Sequence, residues 1–452
     1  MRTPICDFVR AYTEENPVRM HMPGHKGRTF IGPEAIDLTE IDSADVLYRS
    51  RGIIRESEEN AARLFGAART VYSAEGSSLC IRAMLYLALL NAKAKGLPAR
   101  LLAGRNAHRT LMTAAALLDL EIDWLLPDAG KDLLSCDPDA ETIETKLSSG
   151  AYMAVYLTSP DYLGRRADLR AAAACCRRHN VPLLVDNAHG AYLKFLEKDE
   201  HPMTLGADAC CDSAHKTLSC LTGAAYLHLS IHAPERWAEQ AEQAMSLFAS
   251  TSPSWLILQS MDRMNAELAG EYPVRIRRTA ERTEEMRKVL RHEGWTTAGD
   301  EPMKLTMNAA ERGWTGEELQ AILRGAGIGS EFADRRYLVL MPSAETTEED
   351  WNRLLKALRG IPRKQPLRDG APVLHVPEQA MTIRRAMLSP QETVTPERAV
   401  GRILADACVS CPPAVPVVIA GERITENTAA CMAYYGITEC NVTAETEEGR
   451  PV

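Results

Sequence analysis

The stretch VPLLVDNAHG, residues 181–190, decides the fold class of this chain. Its first part is an almost unbroken apolar run that ends in Asp186, and such a run is typical of a strand buried on both faces of a parallel sheet. From about residue 53 to 230, short β-branched or apolar runs alternate with longer amphipathic runs, which is the pattern of βαβ units. We therefore predict an α/β fold with a mainly parallel central sheet covered by helices.

The rhythm changes after about residue 270, where a long charged segment, residues 272–294, favours a helix. A stretch rich in proline and charge, residues 362–372, is typical of a linker. The 452 residues are long enough to bury cores in several units. We predict an N-terminal arm (1–40), a large sheet domain (41–270), a small α/β domain (271–365) and a C-terminal domain (366–452).

The composition disfavours several classes of protein. Apolar residues make up 45% and charged residues 25%, as in ordinary soluble globular proteins. The net charge of −9 disfavours binding to nucleic acid, because the phosphates of the nucleic acid are also negative. The longest strongly apolar run, residues 84–90, is far shorter than the roughly 20 residues of a membrane span, and the N-terminus lacks the apolar stretch of a secretory signal. We expect a cytoplasmic protein that binds neither nucleic acid nor membranes.

The twelve cysteines are expected to be reduced, partly buried thiols. Cys408 and Cys411 form a CxxC pair, which raises the question of a zinc site. A zinc ribbon needs a second close pair, but eight residues separate Cys431 from Cys440. We predict no metal site.

Three features of the sheet region fit together as one site. Residues 75–78, Glu-Gly-Ser-Ser, lead into a helix, where hydroxyls and backbone N–H groups suit a phosphate, although the same serines are equally suited to a plain helix cap. Asp186 ends the apolar strand, where an acid is unfavourable without a cationic partner. Lys216 follows 30 residues later, between two strand-like runs.

An anion cradle, a strand-end acid and a loop lysine, in that chain order, are the three groups that pyridoxal 5′-phosphate (PLP) requires. The cradle would hold the phosphate, and Asp186 would keep the pyridine nitrogen protonated by raising its pKa by roughly 1–3 units. Lys216 would form the Schiff base, with an amine made nucleophilic by desolvation. The predicted cofactor is therefore PLP.

Further motifs resemble the bacterial ornithine/lysine/arginine decarboxylase family of fold type I PLP enzymes. The motifs that carry the resemblance are HMPGHKG (21–27), DLTEIDSADVLY (37–48), LFGAARTVYSAEGSS (64–78), GRNAHRT (104–110), TSPDYLGRRADL (158–169), VDNAHGAY (185–192), DSAHKTLSCLTGAAYLHL (212–229), TSPSWLILQSMD (251–262) and CPPAVPVVIAGERIT (411–425). The resemblance spans almost the whole chain and implies a short form without the N-terminal wing domain. It makes residues 41–270 the PLP-binding domain.

The resemblance also implies a role for each site residue. The catalytic residues are expected to be Lys216, His215, His108 and Asp186. The cofactor contacts are expected to be Gly76, Ser77, Ser78, His108 stacked on the ring, Asp186 at the ring nitrogen, Ala188 on the other face, His189 near the 3′-hydroxyl, Ser213, Lys216, Thr251 and Ser252. Thr251 and Ser252 would approach the phosphate from a partner subunit, so a homodimer is the smallest expected assembly.

Several positions depart from the family pattern. Asn187 replaces the usual Glu after the strand-end Asp, and Glu75 stands where Asn commonly precedes the phosphate-loop glycine. Cys411 and Ala414 replace the usual Tyr and Gly. The first two changes lie beside cofactor-handling positions and bear on substrate tuning, but none removes the core chemistry.

The resemblance implies decarboxylation of a basic amino acid in polyamine metabolism, and we prefer arginine over lysine or ornithine by analogy with other short forms. One alternative is an aminotransferase or lyase, which would hold a substrate α-carboxylate with an arginine such as Arg335 or Arg336. Another is a catalytically silent homologue, which the intact site disfavours. Glu331 and Asp161 are candidate acids for contacting the distal amine or guanidinium of the substrate.

Overall fold

The computed structural model describes residues 1–42, 44–126, 138–368, 370, 372–411 and 415–444. The elements as far as the fifth strand are α1 Pro4–Glu15, α2 Ile53–Phe65, β1 Arg69–Ser73, α3 Ser77–Ala94, β2 Arg100–Gly104, α4 Arg109–Leu118, β3 Glu121–Leu125, α5 Ala140–Ser149, β4 Ala154–Thr158, α6 Leu169–Arg178 and β5 Leu183–Asp186. Those up to the long helix are α7 Pro202–Leu205, β6 Ala209–Asp212, α8 Ala214–Thr217, β7 Ala225–Leu229, α9 Trp237–Ser246, α10 Trp255–Leu268 and α11 Tyr272–His292. The rest are β8 Thr297–Ala298, β9 Leu305–Asn308, α12 Gly316–Gly325, β10 Phe332–Ala333, β11 Tyr337–Leu340, α13 Glu348–Arg359, α14 Ile383–Leu388, β12 Gln391–Val394, α15 Pro396–Ala399, β13 Cys408–Cys411, β14 Val415–Ile419, α16 Glu426–Tyr434 and β15 Cys440–Thr443.

Seven strands form the central sheet, in the order β1-β7-β6-β5-β4-β2-β3. The pairs β2/β3, β4/β5 and β5/β6 are parallel, whereas β7 runs antiparallel to both β1 and β6. All four residues of β5 are buried, as expected for a strand with covered faces. The predicted α/β fold with a mainly parallel sheet is confirmed.

Local sequence signals explain where the elements near the site begin and end. Helix α2 ends at Gly66, which takes the left-handed conformation (φ 70°) and donates its N–H to the Ala62 carbonyl, as glycine commonly does after a helix. Gly76 also has a positive φ, 72°, and stands directly before α3, which begins at Ser77. The turn between β1 and α3 therefore depends on a conformation that glycine adopts readily.

The described chain divides into two compact units. The first comprises residues 1–97, 153–159 and 169–278 and holds strands β1, β4, β5, β6 and β7. The second comprises residues 98–152, 160–168 and those from 279 onward, and it holds β2, β3 and the remaining sheets. The four-part division inferred from sequence stays a prediction.

Two cores lie in the second unit, and strand β11 contributes to both. Tyr337 and Val339 pack in one cluster, whereas Leu338 and Leu340 pack in the other. Successive residues of a strand point to opposite faces, so the sheet β10-β11-β9-β8 is covered on both sides.

The described cysteines are thiols and most are buried, in agreement with the expectation from sequence. Cys408 begins β13, but the Cys411 side chain and Ala414 lie outside the described residues. Among the helices that the structure describes, none combines the length and apolar character that a bilayer span needs.

Candidate active site

The strand-end acid Asp186 is held by donors without formal charge. It is 2% exposed, and its Oδ2 accepts a hydrogen bond from the Tyr156 hydroxyl at 3.1 Å. Its Oδ1 accepts from the Ala188 backbone N–H at 3.2 Å. Burial raises the pKa of Tyr156 well above its usual range, so the phenol stays protonated and donates. These bonds orient the carboxylate at the C-terminal edge of the sheet.

The predicted anion cradle forms where β1 turns into α3. The Gly76 N–H donates to the Gly223 carbonyl at 2.7 Å, and the Ser73 hydroxyl donates to the Gly76 carbonyl at 2.9 Å. The Ser213 hydroxyl, on the turn after β6, donates to the Ser77 hydroxyl at 2.9 Å. Ser78 lies in the first turn of the same helix. Hydroxyls from two loops thus meet at a helix N-terminus, where the helix dipole favours an anion.

Lys216 lies on the short helix α8, and its Nζ is 3.0 Å from Nε2 of His189. The ammonium donates and the imidazole nitrogen accepts. His189 belongs to the loop that follows Asp186, so the adjacent parallel strands β5 and β6 bring the acid loop and the lysine turn together. Lys216 is exposed in the single chain, and its activation by desolvation stays a prediction. The adjacent imidazole is the contact that orients the amine.

His215 is half-buried, and its Nδ1 lies 2.8 Å from the Ala224 carbonyl. A carbonyl only accepts, so Nδ1 carries the hydrogen and Nε2 is the free acceptor of the neutral ring. Burial lowers the pKa of His215, which favours this neutral form at neutral pH. His215 is therefore suited to accept and return a proton.

His108 lies in the second compact unit, as the residue that caps helix α4. Its Nδ1 accepts from the Thr110 N–H at 3.3 Å and lies 2.8 Å from the Thr110 hydroxyl. Because Nδ1 is an acceptor, the neutral ring carries its hydrogen on Nε2. The stacking of His108 on a cofactor ring stays a prediction.

Thr251 and Ser252 are exposed, and a backbone contact ties their segment to the phosphate loop of the same chain. The N–H of Ser250 donates to Oε1 of Glu75 at 2.7 Å. The Glu75 departure therefore has a structural role, since its carboxylate connects the residue before Gly76 to the residue before Thr251. The approach of Thr251 and Ser252 to a partner's phosphate stays a prediction.

A buried cluster around Asp212 was not assigned a role from sequence. Asp212 is fully buried, and its Oδ2 lies 2.8 Å from Nε2 of His201 and 3.4 Å from Nε2 of His228. Its Oδ1 accepts from Nδ2 of Asn187 at 2.7 Å. Burial opposes ionisation, but the two histidines outweigh it and hold the pKa of Asp212 well below its usual range. The only sequence signal was a second acid at a buried strand end.

His201, Cys210 and Asp212 offer ligand atoms within 4.8 Å of one another, a grouping that metal sites also show. The hydrogen bond between His201 and Asp212 accounts for their proximity. Burial raises the pKa of Cys210 well above its usual range, because the apolar surroundings disfavour a charged sulfur. The prediction of no metal site stays a prediction.

The acids proposed to read the substrate have partners within the second unit. Asp161 Oδ1 accepts from the Arg165 N–H at 2.8 Å, and Lys304 Nζ donates to the Asp161 carbonyl at 3.1 Å. Glu331 accepts from the Tyr162 hydroxyl at 3.0 Å.

The arginines considered for an aminotransferase also have aromatic partners. Arg335 lies over the ring of Tyr434, with Cζ 5.5 Å from the ring centroid. The Arg336 guanidinium likewise lies over Tyr337, at 6.0 Å.

The fold and the site together define the class of protein. A structure of the constitutive lysine decarboxylase from E. coli superposes with a TM-score of 0.76 over 99% of this chain and 81% of that chain, at 20% identity. That likeness shows the fold. With an acid at a strand end, serines at a helix N-terminus and a lysine after the next strand, it is the fold of PLP-dependent enzymes of fold type I.

The chain belongs to the Orn/Lys/Arg decarboxylase family. The family's major domain matches residues 3–306, and its C-terminal domain matches residues 371–443. The chain is 30% identical to an arginine decarboxylase of Halalkalibacterium halodurans over 475 residues, covering 95% of this chain and 92% of the relative. It is 29% identical to an arginine decarboxylase of Bacillus subtilis, covering 94% and 91% of the two chains. The predicted family is confirmed.

Proposed function

We propose that this protein is an arginine decarboxylase that works with PLP held at Lys216. The observation that carries the proposal is the convergence of three groups in one compact unit: the oriented carboxylate of Asp186, the paired hydroxyls of Ser77 and Ser213, and the amine of Lys216 beside His189. The family's reaction is the decarboxylation of a basic amino acid.

The donor chemistry of these residues fits PLP. Two hydroxyls at the N-terminus of an 18-residue helix suit a phosphate, because donors and helix dipole both favour negative charge. The Asp186 carboxylate suits a protonated ring nitrogen, and the Lys216 amine suits an aldehyde. When bound, PLP supplies an electron sink for the electrons that the departing carboxylate leaves behind.

The residues of the chain divide the remaining work. Asp186 would orient the ring through its fixed carboxylate, and Ser77 and Ser213 would anchor the phosphate. His215 would take up a proton from solvent on Nε2 and deliver it to the substrate α-carbon once CO2 has left, since Nδ1 is engaged with the Ala224 carbonyl. His189 would hold the Lys216 amine in place when the substrate amine displaces it.

Arginine is favoured over lysine because of the relatives that support each substrate. The relatives named arginine decarboxylase match nearly the whole chain at 29% and 30% identity. The lysine decarboxylase structure, at 20% identity, supports the fold alone. We further propose a role in polyamine metabolism, a cytoplasmic location, which abundant buried thiols support, and a homodimer with shared sites.

The test is an assay of amine and CO2 release by PLP-loaded protein with arginine, lysine and ornithine in parallel. We expect arginine to have the highest kcat/KM, and Lys216→Ala to lose both turnover and the visible absorbance of the bound cofactor. The matched control is Lys198→Ala, since Lys198 is an exposed lysine of the same unit. Absence of turnover with all three amino acids, by protein that has taken up PLP, would refute the proposed function.

A further inference from the structure

The carboxylate of Asp212 joins the two loops that carry the proposed cofactor site. Asp212 ends β6, directly before Ser213 and the turn that bears Lys216. Its Oδ1 accepts from Nδ2 of Asn187, the residue that follows Asp186 at the end of β5. Both side chains are fully buried, so this hydrogen bond forms in a low-dielectric environment where it is strengthened.

The two loops are therefore tied at two points. The first point is the bond between Asn187 and Asp212, reinforced by the Asn187 N–H, which donates to the Cys211 carbonyl at 3.0 Å. The second is the contact of 3.0 Å between His189 Nε2 and Lys216 Nζ. The backbone ladder between β5 and β6, which pairs Asp186 with Cys211, sets the register of the strands, and the first tie extends that register into the two loops.

The Asn187 side chain occupies space that only a glycine at position 190 leaves open. A Cβ at Gly190 would lie 2.0 Å from Asn187 Oδ1, so glycine at 190 is what accommodates this side chain. Oδ1 itself has no hydrogen-bond partner among the described residues, whereas Nδ2 points at Asp212. In this hydrogen bond the Asn187 amide is therefore the donor and the Asp212 carboxylate is the acceptor.

The other oxygen of Asp212 is held from the opposite side. His201 lies 2.8 Å from Oδ2 and also accepts from the Met203 N–H through Nδ1 at 3.3 Å, so its Nε2 carries the hydrogen that it gives to Asp212. His228 contacts the same oxygen at 3.4 Å, and its Nδ1 lies 2.8 Å from the Thr70 hydroxyl. The carboxylate is fixed by strands and loops on both sides, so it is a rigid anchor for Asn187.

We propose that Asp212 is a positioning residue of the cofactor site: through its hydrogen bond with Asn187 it holds the lysine turn in register with the Asp186 loop. This inference rests on the proposed PLP-dependent function. It also gives a role to Asn187, the position at which this chain departs from the family pattern.

The test compares PLP affinity across a set of buried substitutions, measured by titrating cofactor-free protein with PLP and following absorbance. Asn187→Asp places two carboxylates where the 2.7 Å hydrogen bond now lies, and we expect the PLP dissociation constant to rise at least tenfold. The matched control is Asn265→Asp, since Asn265 is another fully buried asparagine with an unpartnered Oδ1, and it contacts Tyr72 and Ser57 away from the loops. The control should keep wild-type affinity.

The exchange variant Asn187→Asp with Asp212→Asn tests whether restoring the hydrogen bond restores the affinity for PLP. The amide introduced at position 212 would donate its NH2 to the carboxylate introduced at position 187, and its carbonyl oxygen would accept from His201. The hydrogen bonds of the cluster are then restored with donor and acceptor reversed. We expect this variant to recover more than half of the lost affinity on a logarithmic scale. Should Asn187→Asp fail to fold, Asn187→Ala removes the donor without adding charge and takes its place.

Thermal unfolding of each cofactor-free variant separates positioning from a merely structural role. Lower stability of Asn187→Asp with unchanged PLP affinity would overturn the inference, as would an exchange variant that recovers none of the loss. A wild-type protein that binds no PLP would instead refute the proposed function. The two failures are therefore distinguishable.

Discussion

Breaking the buried ion pair between Arg105 and Glu422 is expected to lower the free energy of unfolding by a large amount. The guanidinium Nη1 and Nη2 lie 2.8 and 2.9 Å from Glu422 Oε1 and Oε2, and the two side chains are 1% and 2% exposed. Both residues belong to the second compact unit, although they are 317 positions apart. Glu422 Oε2 also accepts from the Ile419 N–H at 2.9 Å.

We expect Glu422→Gln to destabilise the second unit by about 3 kcal/mol, the lower end of the roughly 3–5 kcal/mol for removing one partner of a buried pair. The lower end applies because the glutamine oxygen still accepts one hydrogen bond, while the charge of Arg105 is left uncompensated. The double variant Arg105→Met with Glu422→Leu should lie closer to wild type than the single one, because apolar residues of similar volume replace buried pairs with little loss.

The assay is urea unfolding combined with hydrogen exchange of the segment around residue 105. The Arg105 N–H donates to the Leu125 carbonyl at 2.9 Å, and its exchange should accelerate about a hundredfold for a loss of about 3 kcal/mol. As control, Glu293→Gln breaks an exposed pair with Arg359 and should change stability by no more than about 1 kcal/mol. A change of similar size in both variants, or a double variant less stable than Glu422→Gln, would refute the reasoning.

Two further predictions concern titrating side chains. Burial raises the pKa of Asp161 to about 6, above its unfolded value near 3.9, so the stability that this group contributes is complete below about pH 4 and is lost as the pH rises through about 6. Asp161→Asn should therefore gain up to about 3 kcal/mol relative to wild type between pH 4 and pH 8 in urea unfolding, and a difference independent of pH would contradict this. His215 must be protonated to deliver a proton to the α-carbon, and burial lowers its pKa, so the alkaline limb of kcat/KM that it governs should lie below its usual value near 6.5. His215→Gln should lose that limb and roughly 10²–10⁴ in rate in a pH–rate series, with cofactor absorbance retained, and a variant that keeps the limb would exclude His215 as the proton carrier.

The sequence predicted most of what local patterns encode. The apolar run that ends in Asp186 and the alternation around it predicted the parallel sheet, because a strand covered on both faces must be apolar throughout. Helix α2 stops at a glycine, Gly66, because helix ends carry local residue preferences. The family resemblance was confirmed because its motifs are short and ordered along the chain.

Some features near the site did not follow from local patterns. The exposure of Lys216 in the single chain did not follow from the sequence, because the solvation of a loop side chain depends on which segments pack around it. The role of Glu75 was not foreseen either, since its partner, the Ser250 N–H, is 175 positions away.

By itself, the sequence determined the class of fold and the family, because periodicity and motif order are properties of neighbouring residues, and it supplied the candidate cofactor residues as predictions. Only the tertiary structure decided that Asn187 meets Asp212, that His189 meets Lys216 and that Arg105 meets Glu422. The order of strands in a sheet and the partner of a buried polar group are set by packing and by the need to satisfy every buried donor and acceptor. Such partners are chosen across the whole chain, so no local stretch of sequence contains them.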